Sequence, residues 1–381
     1  MKIIVFLPNW VGDTTMGVPL YRALRELYGR DARIVGVVRP YMLDLFGGSD
    51  WFDELWPFHK RAKSAETGHR ALLHKIRAEK FDWAILLNNS LRTALLAYWG
   101  GCRRRIGNSR PLRNCLLTDP IRKKPERRNL RGKMLEPMVY HYLRFAERMA
   151  QVEESPIVPA VALRAELHDP VEAASLFAER SEPFGFSMRL EWKTLPENEH
   201  SADKVLSDLG LRSDGRIVFL NFSGVPNHTK LWPHAHQVRL AQRIADELDH
   251  DVLFLCGPGD EQRRAREAAA AARRPRVFSM ADQPLDFGTS KALMRRGSLI
   301  VSNDTGPSHL ATAMGLPMVA VYGPFSYDQS INPTVDVDRL YLDCDCLGCH
   351  AKRCPTGDHR CMQDMTADRV FPFVEKRLRK S

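Results

Sequence analysis

Short runs of β-branched and apolar residues recur along the chain, each followed by a turn and then by a stretch with helical spacing. In the first half the runs fall at residues 3–7, 34–38, 53–56 and 83–87. Continuous apolar runs of this length predict strands buried on both faces. After the first run, Val18, Leu20, Tyr21, Leu24 and Leu27 line one face of a helix that Thr14 or Thr15 is expected to cap. Further helices are predicted over residues 65–79, 91–99 and 134–149. The alternation restarts with a strand at 217–221. It continues through helix 235–248, strand 252–255, helix 261–272, strand 277–279, helix 291–295, strand 299–301 and strand 318–321. Alternation of this kind predicts an α/β chain with parallel sheets covered on both faces. Between the halves the pattern fades, and Pro156, Pro159, Pro170, Pro183 and Pro196 punctuate it. The expected division is a Rossmann-like domain over 1–165, a linker with peripheral elements over 166–200, and a second Rossmann-like domain over 201–345. A Cys-rich tail over 346–381 is expected to pack back toward the first domain. Two facing domains of this type leave a deep cleft at the carboxyl ends of their sheets, where doubly wound folds bind ligands.

Composition agrees with that picture and narrows the setting. A length of 381 residues suits two domains, and 44% hydrophobic with 27% charged residues suits a globular chain. The apolar run at 3–7 is too short for a signal peptide and stops at Pro8, so it reads as a first strand. No run is long enough to span a bilayer. The expected location is cytoplasmic, with peripheral contact at the cytoplasmic face of the inner membrane. The net charge of +10 is concentrated: Arg103, Arg104, Arg105, Arg110, Arg113, Arg122, Lys123, Lys124, Arg127, Arg128, Arg131 and Lys133 face only Asp119 and Glu126. Such a segment attracts a phosphorylated substrate, anionic lipid or nucleic acid, or is a solvated loop. No nucleic-acid motif with interleaved aromatics accompanies it. An anionic substrate or a membrane surface is therefore favoured, and no nucleic-acid partner is expected.

Four stretches and one further glycine turn carry candidate chemistry. The first, Ser302-Asn303-Asp304-Thr305-Gly306-Pro307-Ser308-His309, reads as a strand end, a turn and a helix start, with Thr305 or Ser308 as cap. It is either an anion site formed by unpaired N–H groups and a helix dipole, or an ordinary crossover. The second is Gly12-Asp13 after the first strand, where Asp13 is a general base or a helix cap. In the third, Ser223 and Gly224 allow close backbone approach, and Lys230, before Leu231-Trp232-Pro233, is a point charge suited to phosphate or an ordinary exposed lysine. Gly257, in Cys256-Gly257-Pro258-Gly259-Asp260-Glu261, also allows close approach. Neither half carries a G-x-G-x-x-G fingerprint in its first βα turn or a G-x-x-x-x-G-K-[ST] loop, which argues against a nicotinamide dehydrogenase and a P-loop kinase. The fourth stretch is the tail. Cys346, Cys349, Cys354 and Cys361, beside Cys344, His350 and His359, leave a structural zinc site, disulfides and free thiols open. Asp336-x-Asp338 and Asp343-x-Asp345 are short acidic pairs of a kind common by chance in charged segments.

Taken together, three of these stretches resemble glycosyltransferase family 9, the heptosyltransferases of lipopolysaccharide inner-core synthesis. Pro8-Asn9-Trp10-Val11-Gly12-Asp13-Thr14-Thr15-Met16 resembles the family's N-terminal signature, in the Asn-Trp form of the heptosyltransferase II branch. Lys230-Leu231-Trp232-Pro233 resembles its Lys-x-Trp-Pro element. The stretch from Ser302 to His309, followed by Tyr322-Gly323-Pro324, resembles its Asp-[Ser/Thr]-Gly-Pro-x-His element. The tail, with Cys354-Pro355 and Cys361-Met362, is also similar to that branch, whereas residues 223–228 depart from it.

The resemblance implies a GT-B fold and inverting, metal-independent transfer of heptose from ADP-heptose, with no cofactor. It implies that Asp13 is the general base and that Lys230 faces donor phosphate and sugar. Asp304, Thr305, Gly306 and His309 become the donor turn, with Ser223, Gly224 and Gly257 beside it. Trp10, Gly12, Lys60, Arg61, Lys63 and Arg103 are assigned to an anionic glycolipid acceptor. Alternatives are a relative that uses another acceptor, protein or glycan, or another nucleotide sugar, and a catalytically silent sugar-nucleotide-binding protein.

Overall fold

Val, Ile and Leu dominate the runs that become strands, and both faces of those strands are covered, so the apolar runs are continuous rather than alternating. The computed structural model of the chain describes residues 1–59, 67–122, 127–129, 132–134, 136–153, 185–223, 228–325 and 327–379. They divide into one unit of Met1–Arg127 with Glu136–Arg189 and another of Arg128–Leu135 with Leu190–Ser381.

The first unit holds strands β1 (Lys2–Phe6), β2 (Arg33–Val38), β3 (Glu54–Pro57), β4 (Trp83–Leu86), β5 (Arg104–Asn108) and β6 (Asp119–Ile121). Their order is β3-β2-β1-β4-β5-β6, with every pairing parallel. Phe6 lies opposite Val37 on one side and Leu86 on the other. Helices α1 (Val11–Met16), α2 (Val18–Tyr28), α3 (His69–Glu79), α4 (Leu91–Trp99) and α5 (Met138–Val152) complete the unit. One core joins Ile4, Phe6, Val35, Val37, Ala84 and Leu86 to Leu72 and Ile76 of α3 and to Ala94 and Ala97 of α4.

Two expectations change here. The first helix is not capped by Thr14 or Thr15, which are fully buried inside α1; Trp10 is its N-cap. Gly17 separates α1 from α2, and a side chain there would meet the Tyr21 hydroxyl at 2.4 Å. The basic segment is in part a sheet edge rather than a loop. Arg104 donates to the buried carboxylate of Asp119 at 3.0 Å and lies over the Trp83 ring, while Arg105 donates to the carbonyls of Leu116 and Cys102. Arg113 is 1% exposed.

Strands β7 (Arg127–Asn129) and β8 (Gly132–Met134) pair with each other. The second unit repeats the first topology with β9 (Ile217–Asn221), β10 (Asp251–Phe254), β11 (Val277–Ser279), β12 (Leu299–Asn303), β13 (Met318–Val321) and β14 (Val337–Leu340), in the order β11-β10-β9-β12-β13-β14, all parallel. Its helices are α6 (Pro196–Leu209), α7 (His234–Glu247), α8 (Asp260–Ala272), α9 (Phe287–Met294), α10 (Gly306–Ala313), α11 (Arg360–Gln363) and α12 (Ala367–Leu378). In each unit the strand order reverses at one point, β1/β4 and β9/β12, and the loops that leave the carboxyl ends there diverge. That divergence opens a crevice. The segments that follow β1, β9 and β12 carry Asp13, in the first turn of α1, Lys230 and Asp304.

The tail was expected to return toward the first domain. Cys361, Met362, Met365, Val370, Phe371 and Val374 are instead buried in the core of the second sheet, with Val301 and Val319. Its apolar spacing supplies the cover that one face of β12 and β13 needs. Phe371 is 2% exposed and Phe373, two residues on, 38%. Phe371→Ala is therefore expected to cost about 3–5 kcal/mol of stability, and Phe373→Ala within about 0.5 kcal/mol of nothing. Denaturant unfolding measures both; equal small effects would contradict the tail's place in the core.

Candidate functional site

Strand β12 is fully buried as far as Asn303, and the chain then turns through Asp304 and Thr305 into α10. Asn303 uses its amide to fasten the neighbouring loop, donating to the carbonyls of Ser223 at 2.7 Å and Lys230 at 2.8 Å. Asn221, at the end of β9 and also fully buried, donates to the hydroxyls of Ser302 and Thr305 at 2.9 Å each. Two asparagines that end adjacent strands thus tie the β9 and β12 loops together.

This anchoring brings Lys230 to Asp304. The Lys230 ammonium donates to the Asp304 carbonyl at 2.7 Å and to its carboxylate Oδ2 at 3.1 Å, and lies 4.3 Å from the centroid of the Phe325 ring. The other carboxylate oxygen accepts from the Ser330 hydroxyl at 2.7 Å and faces His309 Nε2 at 3.4 Å. Burial raises the Asp304 pKa, but the His309 hydrogen bond, the Lys230 charge and the Ser330 hydroxyl outweigh it and hold the carboxyl well below the usual range. Burial raises the Tyr322 phenol, and the negative charge of Asp304 raises it further. The cluster remains reachable: Lys230 is 21% and Asp304 18% exposed.

The turn itself is partly self-satisfied. Thr305 is the N-cap of α10, its N–H donates to the Ser308 hydroxyl at 3.3 Å, and the Ser308 N–H donates to the Thr305 carbonyl. Pro307 has no N–H. The Gly306 amide opens α10, at the positive end of the helix dipole.

The tail braces this loop from behind. His359 Nε2 bonds the Thr229 carbonyl at 2.7 Å, Thr229 donates to the Ala351 carbonyl, and Trp232 Nε1 donates to the Met365 carbonyl at 2.6 Å. Phe325 packs edge-on against His350, whose pKa is lowered by burial and then by the Lys230 charge. A side chain at Gly323 would meet Met362 Sδ at 2.5 Å. All eight cysteines are free thiols, and among the described residues no three His, Cys, Asp or Glu side chains are grouped to hold a metal ion.

In the first unit Asp13 lies in the first turn of α1, half-buried, above the switch point of that sheet. Burial raises the phenols of Tyr21 and Tyr142, and the Asp13 charge raises both further. An Asp in the first turn is favoured by the helix dipole, which stabilises its ionised form. Gly12 is buried, and Trp10 is 58% exposed.

Residues 69–357, more than half of the chain, match the sequence profile of glycosyltransferase family 9 (heptosyltransferase). The chain belongs to glycosyltransferase family 9. Lipopolysaccharide heptosyltransferase 2 of Escherichia coli K12 is 26% identical over 380 residues, covering 97% of each chain. Lipooligosaccharide heptosyltransferase 2 of Haemophilus ducreyi is 25% identical over 397 residues, covering 99% of each. The solved structure of E. coli ADP-heptose lipopolysaccharide heptosyltransferase II superposes with a TM-score of 0.73 at 23% identity, covering 100% of this chain and 99% of that one. The fold is accordingly GT-B, and the protein is a glycosyltransferase.

Within this family 9 chain the expected donor residues gather around one carboxylate. Lys230, Asp304, Thr305, Gly306 and His309 are contiguous, and the Ser223 carbonyl is held beside them. Gly257 lies after β10, with its amide occupied by Glu261 Oε2 at 2.8 Å. The acceptor set does not assemble as expected. Arg103 precedes β5, so it sits at the amino edge of the parallel sheet, whereas Trp10 and Asp13 follow β1 at the carboxyl edge. Lys60, Arg61, Lys63 and Gly224 lie outside the described residues. Phe325 and Ser330 belong to the cluster and carried no sequence motif of their own, whereas Asn303 lay in the donor stretch and Asn221 just before Ser223, each without an assigned role.

Asp304 has a depressed pKa in the folded state, so its contribution to stability is present above the unfolded value of about 4 and is lost as pH falls toward the folded value. Asp304→Asn is expected to lower stability at pH 7 by about 2 kcal/mol, and the gap should close as pH falls below about 4. Urea unfolding at several pH values measures this; a gap that does not change with pH would contradict it.

Proposed function

We propose that the protein moves a heptose from ADP-heptose to the inner core of a lipopolysaccharide-type acceptor, with inversion and without a metal ion. The observation that carries this reading is the Lys230–Asp304–His309 cluster at the β9/β12 switch point of a family 9 chain. Lipopolysaccharide heptosyltransferase 2 of E. coli, similar along nearly the whole chain, supports the choice of sugar and acceptor.

As the sugar–phosphate bond breaks, negative charge grows on the departing diphosphate and positive character on the anomeric carbon. The leaving group needs a fixed counter-charge in a site that excludes water. Lys230 supplies an ammonium and α10 the positive end of a dipole. Asp304 takes two of the three ammonium donors in the described residues, and the third is available to a phosphate oxygen of the donor. Asp304, ionised throughout the neutral range, accepts hydrogen bonds from sugar hydroxyls and keeps Lys230 pointed at the phosphate. Asp13 takes the proton from the acceptor hydroxyl as it attacks the face of the sugar opposite the leaving group. A single displacement of this kind inverts the anomeric centre.

No helix among the described residues is long and apolar enough to cross a membrane. The proposed setting is the cytoplasmic face of the inner membrane, with transient contact to reach an anionic glycolipid.

Asp13→Asn is expected to lower turnover by about 10²–10⁴-fold while ADP affinity by calorimetry stays at the parent value. Turnover within a few-fold of the parent would remove Asp13 as the base. A thermal-shift screen of ADP-, GDP- and UDP-sugars should raise the melting temperature with the ADP-sugar, since a ligand that binds only the native state stabilises it. A shift confined to GDP- or UDP-sugars would overturn the choice of donor.

A further inference from the structure

We propose that the outer side of α3 and α4 docks the protein on an anionic phospholipid bilayer. This goes beyond the membrane contact proposed above by naming its surface, and it rests on that contact, not on the transfer chemistry. Helix α4 carries Leu91, Leu95, Tyr98 and Trp99 at i, i+4, i+7 and i+8, which places them on one face. Its opposite face, with Ala94, Leu96 and Ala97, is buried in the sheet core. Leu91 is 42%, Tyr98 49% and Trp99 55% exposed. Large apolar side chains clustered in this way on a surface mark an interaction site. Leu91, Leu95 and Trp99, together with Leu73 of α3, line an open cavity of ≈ 650 Å³.

Cations surround this apolar centre. Arg70 and Arg92 line the same cavity, are exposed, and form no ion pair among the described residues. Arg77 is held beside Trp99 by its hydrogen bond to the Trp99 carbonyl at 2.9 Å, and the Arg105 guanidinium lies 5.4 Å from the Tyr98 ring centroid. Glu79 is the one acidic residue of the two helices, and it is neutralised by Lys2 and Arg33. The surface therefore combines an apolar centre, two interfacial aromatics and a basic rim, with no other carboxylate in the two helices. Tyr and Trp favour the headgroup layer, and cations near an anionic leaflet add attraction. Part of the basic segment expected to play this part is engaged within the fold: Arg104 pairs with Asp119, and Arg113 is buried.

Flotation of the full chain with phosphatidylglycerol-containing vesicles tests this, with pure phosphatidylcholine vesicles as the neutral comparison. The parent is expected to float with the anionic vesicles and to lose binding as salt rises. Leu91→Glu/Trp99→Glu and Arg70→Glu/Arg92→Glu should each reduce binding by about tenfold or more, with melting temperatures near the parent's. Lys204→Glu/Arg239→Glu, exposed on the second unit, makes the same charge change as the arginine pair and should leave binding near the parent's. A parent that ignores anionic vesicles, variants that bind like the parent, or an equal loss in the control pair would each overturn the proposal. Turnover with ADP-heptose, measured in parallel on the parent, reports separately on the transfer reading.

Discussion

The contact between the Lys230 ammonium and Asp304 is the constraint around which the second unit is arranged. A partly buried carboxylate is costly unless charge and hydrogen bonds compensate it. Here Lys230, His309 and Ser330 do so from three different segments, the β9 loop, helix α10 and the chain after β13. Each must be held for the pair to exist. Asn303 and Asn221 fasten the two loops to each other, and the tail holds the Lys230 loop through His359, Ala351 and Met365. Removing any of these supports leaves a carboxylate with fewer partners, so the site and the local fold are one problem.

The same physics explains the tail. Without α12 one face of β12 and β13 would be open to water, and the strands that place Asp304 would lose their cover. The tail's bonds to Thr229 and Trp232 then follow from its position; Cys361 is buried in the same core, and Cys344 packs against it 3.9 Å from Cys346.

Much of this was legible in the residues. Strands β9, β11 and β13 match their expected bounds because Val, Ile, Leu and Phe run without interruption between turn residues. The donor turn was legible too, since Asp-Thr-Gly-Pro at a strand end leaves few conformations other than a helix start. The rest failed for identifiable reasons. Strand β5 was hidden because it begins with two arginines, and its place is set by pairing with β4 and by Asp119, which is distant in sequence. Helix α12 sat in a segment dominated by cysteines and charges, and its burial depends on a sheet formed elsewhere. The first helix was misjudged because Thr14 and Thr15 look like caps, yet both are sealed beneath α1 and Gly17 makes the break. Arg103 looked like part of an acceptor site because charge was counted along the chain, whereas a parallel strand separates the two edges of the sheet.

Lys230 and Asp304 are proposed to act as one unit in holding the donor. A double-mutant cycle on ADP-heptose affinity by calorimetry, with Lys230→Ala, Asp304→Asn and the pair combined, tests it most directly. Coupled residues give losses that do not add. The double variant is expected to bind only slightly more weakly than the weaker single variant. Losses that sum across the two substitutions, or single variants that bind ADP-heptose as the parent does, would contradict it.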